Sequence, residues 1–247
     1  MLITSVDNKK IKKYVSLKNS KDRKKEKLFI VEGMHMCYEA NKHNLLVDLL
    51  VLENTDISFS YSNEITYVTE NVLKKVSNLS NPIGVIGICK ILDNKEIYGN
   101  HILILDDIQD PGNLGTIIRS ANAFNVDTII LSTNSVDIYN DKVLRSTQGM
   151  IFDMNIFYSD LENIILKLHD NGYLVLGTNV NNGIDVRDVK VNKYALIMGN
   201  EGQGVHKKIQ ALCDKNIYIK MNNNCESLNV AVATSILLYE LDRSFYE

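Results

Sequence analysis

Apolar positions fall into two regimes along the chain. Up to about residue 90 they form short runs between charged stretches: 29–31, 48–52, 65–68 and 84–88 read as strands, while 33–42 and 70–79 carry helical spacing. Ser5 is placed to cap a basic helix through about Leu17, and 19–27 reads as a charged turn. From His101 the pattern becomes regular. Strands are predicted at 102–105, 128–131, 155–157, 173–177, 194–198 and 217–219, with helices at 114–124, 141–147, 161–169, 205–213 and 228–241. Such alternation predicts an α/β fold with a parallel sheet covered by helices on both faces, and ligands in such sheets bind beyond the carboxyl ends of the strands. The polar stretch 93–100 separates the regimes, which gives two expected domains, 1–95 and 100–247.

Composition narrows the setting. The chain has 247 residues, 45% of them hydrophobic, enough to bury a core. No apolar run approaches the ~20 residues that span a bilayer, and Met1 to Thr4 leads into polar sequence rather than a signal-peptide core. Cys37, Cys89, Cys213 and Cys225 form no CxxC pair, which argues against a zinc ribbon and a disulfide framework and for a reducing cytoplasm; no metal site is expected. The net charge of −3 hides an asymmetry: residues 1–27 carry ten basic and three acidic side chains, a local +7, leaving −10 on the other 220. A block of like charge suits nucleic-acid contact, with Lys9, Lys12, Lys13, Lys18 and Arg23 among its cations; a solvated, Lys-rich helix face is the plainer alternative.

Three loops hold the candidate chemistry. After the strand at 102–105, Asp110-Pro-Gly-Asn113 is turn sequence with Asn113 placed to cap the following helix, and Arg119 lies two turns in, off the apolar face made by Ile117, Ile118 and Ala121. A structural salt bridge is the bland reading of Arg119. After the strand at 194–198, Gly199-Asn-Glu-Gly-Gln-Gly204 lets backbone approach a ligand closely. Its glycine order is neither GxGxxG nor a P-loop, and the carboxylate of Glu201 would repel phosphate, so a dinucleotide site is disfavoured. The third loop runs from Ile217 through an Asn-rich turn into the last helix, with Ser227 and Asn229 at the junction; capping alone would account for that pair.

In this order and at these spacings the loops resemble the motifs of SpoU-type RNA ribose 2′-O-methyltransferases of the SPOUT superfamily, also called TrmH-like. Asp110 to Arg119 looks like the first motif, Ile197 to Gly204 the second, and Ile219-Lys-Met with Ser227-Leu-Asn-Val-Ala-Val-Ala the third; residues 5–33 are similar to the L30e-like RNA-binding domain that many members carry. The resemblance implies a SPOUT catalytic domain closed by a deep trefoil knot, a homodimer, and S-adenosyl-L-methionine as cofactor. It implies a cofactor cradle of backbone at Leu196, Gly199, Ile219, Met221 and Leu228, and a catalytic set of Arg119, Asn113, Glu201, Ser227 and Asn229. There are departures: Lys220 stands where members commonly have Pro, Asn223 where they have Gly, and Thr147 where Ser is usual in the further family segment 145–152. Asn tolerates the left-handed backbone better than most residues, so the turn can keep its shape.

The implied reaction is 2′-O-methylation of an RNA ribose, with ribosomal RNA of the 23S type favoured by the N-terminal domain and with Lys9, Lys12, Lys13, Lys18, Arg23 and Arg145 as candidate RNA ligands. A tRNA target is the alternative within the class. A non-catalytic RNA-binding or ribosome-assembly protein of the same fold is the alternative outside it. The family proposal makes Arg119 the base, but a guanidinium is effectively always protonated, so an electrostatic clamp on the developing alkoxide is the better physical role.

Overall fold

The computed structural model describes residues 2–93, 96–180 and 183–246. Residues 1, 95 and 247, which bound the two expected domains, lie outside the described residues. The elements run β1 (Leu2–Ile3), α1 (Lys9–Ser16), α2 (Ser20–Glu26), β2 (Leu28–Glu32), α3 (Met34–Lys42), β3 (Leu46–Leu52), β4 (Thr66–Val68), α4 (Glu70–Val76) and β5 (Val85–Lys90). They continue through β6 (His101–Leu105), α5 (Pro111–Ala123), β7 (Thr128–Ser132), α6 (Asp141–Thr147), a 3-10 turn (Met150–Asp153), β8 (Asn155–Ser159), α7 (Leu161–Asp170) and β9 (Leu174–Thr178). Last come β10 (Ile184–Asp185), a second 3-10 turn (Val186–Asp188), β11 (Tyr194–Met198), α8 (Lys207–Gln210), β12 (Lys215–Tyr218) and α9 (Val230–Tyr246).

Two compact units result: residues 1–93 with 137–153, and residues 94–136 with 154–247. The first is therefore discontinuous in sequence. Local chemistry explains why 137–153 joins it: the Arg23 guanidinium grips Asp137 at 2.6 Å, Tyr139 lies 4.5 Å from the Phe29 ring and takes the Leu92 N–H on its hydroxyl, and Phe152 stacks on His43. Its sheet is mixed, in the order β1-β4-β3-β5-β2, with β2 and β3 antiparallel to β5.

The basic N-terminal stretch differs from its expected form at two points. Asn8, not Ser5, caps α1, and 20–26 is a helix rather than a charged turn, because Asn19 offers its side chain to the Lys21 N–H and Lys27 ends the helix in the left-handed region at φ 54°. Ile11, Tyr14 and Leu17 are buried against the sheet with Ile30, Leu50, Val72 and Ile88.

The second unit is built on seven parallel strands in the order β10-β12-β9-β11-β6-β7-β8. Central β6 and β11 are buried at every position, which is why they read as unbroken apolar runs rather than alternating ones. Helix α7 packs Leu161, Ile164, Ile165 and Leu168 against this sheet, while α5 and α9 lie side by side, joined by a 2.7 Å contact between the Ser120 and Ser235 hydroxyls. Helix α8 is one turn, shorter than predicted. Among the described residues, no helix is long and apolar enough to cross a membrane.

Candidate functional site

Loops after neighbouring parallel strands reach the same end of a sheet, and β6 and β11 are direct neighbours. The loop after β6 therefore meets the loop after β11, and the start of α9 is brought to both by the packing of α9 on α5.

The first loop differs from its prediction in one instructive way. Asp110, not Asn113, caps α5: its Oδ1 accepts the Asn113 N–H at 2.8 Å, with Pro111 at the first helical position where a missing N–H costs nothing. Freed from capping, the Asn113 carboxamide donates from Nδ2 to Glu201 Oε1 at 3.1 Å and accepts on Oδ1 from Asn229 Nδ2 at 3.0 Å. One residue from each loop thus stands in a single hydrogen-bonded row, Glu201–Asn113–Asn229.

Glu201 also takes the backbone N–H of Asp110 at 3.1 Å and of Gln109 at 3.3 Å. Partial burial pushes its carboxyl up, but the hydrogen bonds from Asn113, Asp110 and Gln109 outweigh this and hold it below the usual glutamate range. At the other end of the row, Asn229 caps α9 through Oδ1, accepting from Ala231 and Val232 N–H at 2.9 and 3.3 Å. Capping and bridging are therefore two halves of one side chain.

The glycine loop closes on itself. Asn200 and Gly204 exchange both backbone hydrogen bonds, at 3.0 and 2.9 Å. A Cβ on Gly199 would lie 2.1 Å from the Gly204 carbonyl carbon and the Val205 nitrogen, and Gly204 sits at φ +70°. At the loop's exit, buried Asp106 accepts the His206 N–H at 2.8 Å and faces its ring Nδ1 at 3.0 Å.

Beside this row opens a cavity of about 310 Å³. Gly199, Ile219, Met221 and Leu228 of the expected cradle line it, as do Glu201 and Ser227. Leu196 does not: it is fully buried inside β11, and Met198, two residues nearer the carboxyl end of the strand, lines the cavity instead. Sequence reasoning missed the last residue of β9 and the two that follow it (Thr178, Asn179, Val180) and the inner face of α9 (Val230, Ala233, Leu237). Their signal was weak, because that β9 lies next to β11 follows from strand order, which no local pattern encodes. Among the described residues, no Lys or Arg lines the cavity, and one carboxylate, Glu201, does.

Arg119 lies exposed on α5, and its side chain has no hydrogen bond or ion pair with any described residue, so the salt-bridge reading does not hold within the described chain. Among the described residues, no group of three or more His, Cys, Asp or Glu could hold a metal ion.

The basic candidates divide. Arg23 is a correction: its guanidinium is buried, donating to the Leu17 and Lys18 carbonyls at 2.9 Å and to Asp137, so it builds the first unit rather than facing RNA. Lys18 donates to the Ser77 carbonyl, Lys12 pairs with Asp7, Lys13 with Glu26 and Arg145 with Asp141. These other four pairs leave the side chains partly exposed, and Lys9 is exposed without a described ion-pair partner.

Comparison with known proteins places this geometry. Residues 100–239 match the SpoU rRNA methylase family, and residues 8–87 match the MRM3-like substrate binding domain. The chain is 34% identical to the 23S rRNA (guanosine(2553)-2′-O)-methyltransferase RlmP of Bacillus subtilis (strain 168), over 97% of this chain and 98% of that one. In structure it is similar to an AdoMet-bound rRNA methyltransferase from Sinorhizobium meliloti, at TM-score 0.86 and 27% identity over 98% of this chain and 97% of that one. It is likewise similar to an RNA 2′-O ribose methyltransferase, at TM-score 0.84 and 26% identity over the whole of both chains. Fold and site together define an enzyme of the RNA methyltransferase class. The chain belongs to the SpoU rRNA methylase family.

Proposed function

We propose that this enzyme transfers a methyl group from S-adenosylmethionine to a ribose 2′-hydroxyl of RNA, in the cytoplasm and with ribosomal RNA as the substrate. The observation that carries the reading is the Glu201–Asn113–Asn229 row beside the cavity.

The cavity fits the donor. At about 310 Å³ it is at the small end of ligand sites; its walls combine apolar side chains, loop backbone and neutral polar groups, with no Lys or Arg among the described lining residues to seat a phosphate and one carboxylate, Glu201, to face a sulfonium. Gly199, Ile219, Met221 and Leu228 would hold the nucleoside, with Met198 in the place expected of Leu196. When bound, S-adenosylmethionine supplies a methyl group activated by positive sulfur. The ribose hydroxyl has to lose its proton, and no side chain of the set is built as a strong base: a guanidinium is a donor with no free lone pair to offer, and Glu201 is held in its ionised form by its hydrogen bonds. Arg119 is therefore the clamp that stabilises the developing alkoxide and a neighbouring phosphate, and the proton leaves to water or to that phosphate. Asn113 and Asn229 hold the loops in register, and Ser227 orients the ribose.

The domain that matches a substrate-binding family would grip RNA through Lys9, Lys12 and Lys13, with Arg145 on the inserted segment, and the 2′-hydroxyl itself separates RNA from DNA. The ribosomal preference is supported by the activity named for the Bacillus subtilis relative. A homodimer is supported by the outer face of α9, where Val232 and Tyr239, seven residues apart and so on one face, are 48% and 53% exposed. The trefoil knot of the C-terminal segment is part of the same proposal and is supported by family membership.

Mapping 2′-O-methyl marks in total RNA with and without the gene tests the reading. One ribosomal ribose should lose its mark when the gene is removed; an unchanged map, or a mark lost from tRNA alone, would contradict it.

A further inference from the structure

Next to the row of Glu201, Asn113 and Asn229 stands a second set of hydrogen bonds, centred on Asn200 of the glycine loop, to which neither the expected catalytic set nor the expected cradle assigns a role. Asn200 uses every polar atom it has. Its Nδ2 donates to the Asp107 carbonyl at 2.9 Å, its Oδ1 accepts the N–H groups of Gly202 and Gln203 at 2.9 and 3.1 Å, and its backbone pairs twice with Gly204. Its target is unusual. Asp107 occupies the left-handed region at φ 62°, a conformation that non-glycine residues seldom take and that persists where surroundings fix it. Here they do: the Asp107 N–H is taken by the Ser132 hydroxyl at 2.9 Å, and its carboxylate accepts from Gln109 Nε2 at 2.5 Å, while the same Nε2 donates to the Asn134 carbonyl at 2.9 Å. Gln109 and Asp110 are in turn the residues whose backbone N–H groups point at Glu201.

We infer that Asn200 is a positioning residue: by tying the glycine loop to the strained Asp107 carbonyl, it fixes the distance between Glu201 and the two N–H groups that hold its carboxylate. Its two halves have separate tasks. The acceptor half shapes the loop that walls the cavity, and the donor half sets where that loop sits against the loop after β6. Asn200, itself among the residues that line the cavity, acts through Glu201. The inference rests on the methyl-donor reading of the cavity.

Asn200→Asp separates the halves, since it keeps the acceptor and size of the side chain, removes the donor and sets a negative oxygen against the Asp107 carbonyl. The full chain is assayed with S-adenosylmethionine and ribosomal RNA from cells lacking the gene, as wild type, Asn200→Asp, Asn200→Ala, Glu201→Ala and the two double variants, with unfolding midpoints measured beside turnover. Losing a hydrogen bond of this kind lowers kcat/KM for the donor about tenfold in Asn200→Asp. In a background already lacking the Glu201 carboxylate, the same change costs under about twofold, because coupled residues are not additive. Losses that multiply in the double variant, or an Asn200→Asp enzyme with wild-type kcat/KM, would overturn the inference while leaving the donor reading intact. A wild-type protein that binds no S-adenosylmethionine overturns both. Should Asn200→Ala fail to fold, the near-isosteric Asp variant decides.

Discussion

At Asn113 one position in the chain carries the meeting of three loops, and its chemistry makes sharp predictions. Asn113→Ala removes a bond to a charged group and a bond to Asn229 together, and should lower kcat about tenfold to a hundredfold while the unfolding midpoint moves by no more than a few degrees. Asn113→Asp sets a second carboxylate at the place of the first bond, and like charges raise each other's pKa. Its activity relative to wild type should therefore recover as pH falls and one carboxylate protonates; a ratio independent of pH would show that Glu201 is not ionised beside it. In the first unit, burial pushes the Asp137 carboxyl up, but the Arg23 guanidinium, the Tyr139 N–H and the Ser20 hydroxyl outweigh it and hold the carboxyl below the usual range. Such a group adds stability above its unfolded pKa and loses that contribution as pH falls through its folded value. Arg23→Ala should cost about 2–4 kcal/mol at neutral pH in denaturant unfolding and flatten the acid limb of the stability curve. An Arg23→Ala protein as stable as wild type, yet weakened in RNA binding, would restore Arg23 to the RNA surface.

At the scale of elements, what could be read from sequence depended on whether the deciding contacts were local. Strands β7, β9 and β11 were legible because buried parallel strands are continuous apolar runs, and the glycine loop was legible because Gly199 has no room for a Cβ. Helix α2 was not, since a run of charges hides the Asn19 cap and the single buried Arg23. Nor was the choice between Asp110 and Asn113 as the cap of α5, because both are good capping residues three positions apart and only the fold decides. The β9 wall of the cavity depended on strand order, which lies beyond any local pattern. Gly199→Ala belongs to this scale. A methyl group 2.1 Å from backbone on the far side of the loop cannot be absorbed by a rotamer change, so the loop must open and the donor's seat with it. Donor affinity should fall at least about tenfold, with the central strands undisturbed in hydrogen exchange.

For the whole molecule, the basic stretch 1–27 is two short helices, of which α1 and its cap bring Ile11, Tyr14 and Leu17 into the core of the first unit, so deleting residues 1–27 would remove these from that core rather than test RNA binding. Point changes serve better. Replacing Lys9, Lys12 and Lys13 by Gln should weaken RNA binding evenly across sequences and reduce the salt slope by about one for each phosphate no longer neutralised, with donor affinity unchanged. Tyr239→Lys, placed on the exposed face of α9, should leave a monomer in sedimentation velocity if that face pairs two copies. A separate claim is that three loops of the parallel-sheet unit build one methyl-donor seat. Calorimetric titration of the full chain with S-adenosylmethionine, wild type beside Gly199→Ala, tests that claim most directly. Saturable binding of one donor per chain, abolished or weakened at least about tenfold in the variant, is the predicted result. Equal affinity in the two proteins, or no heat of binding in wild type, would contradict it.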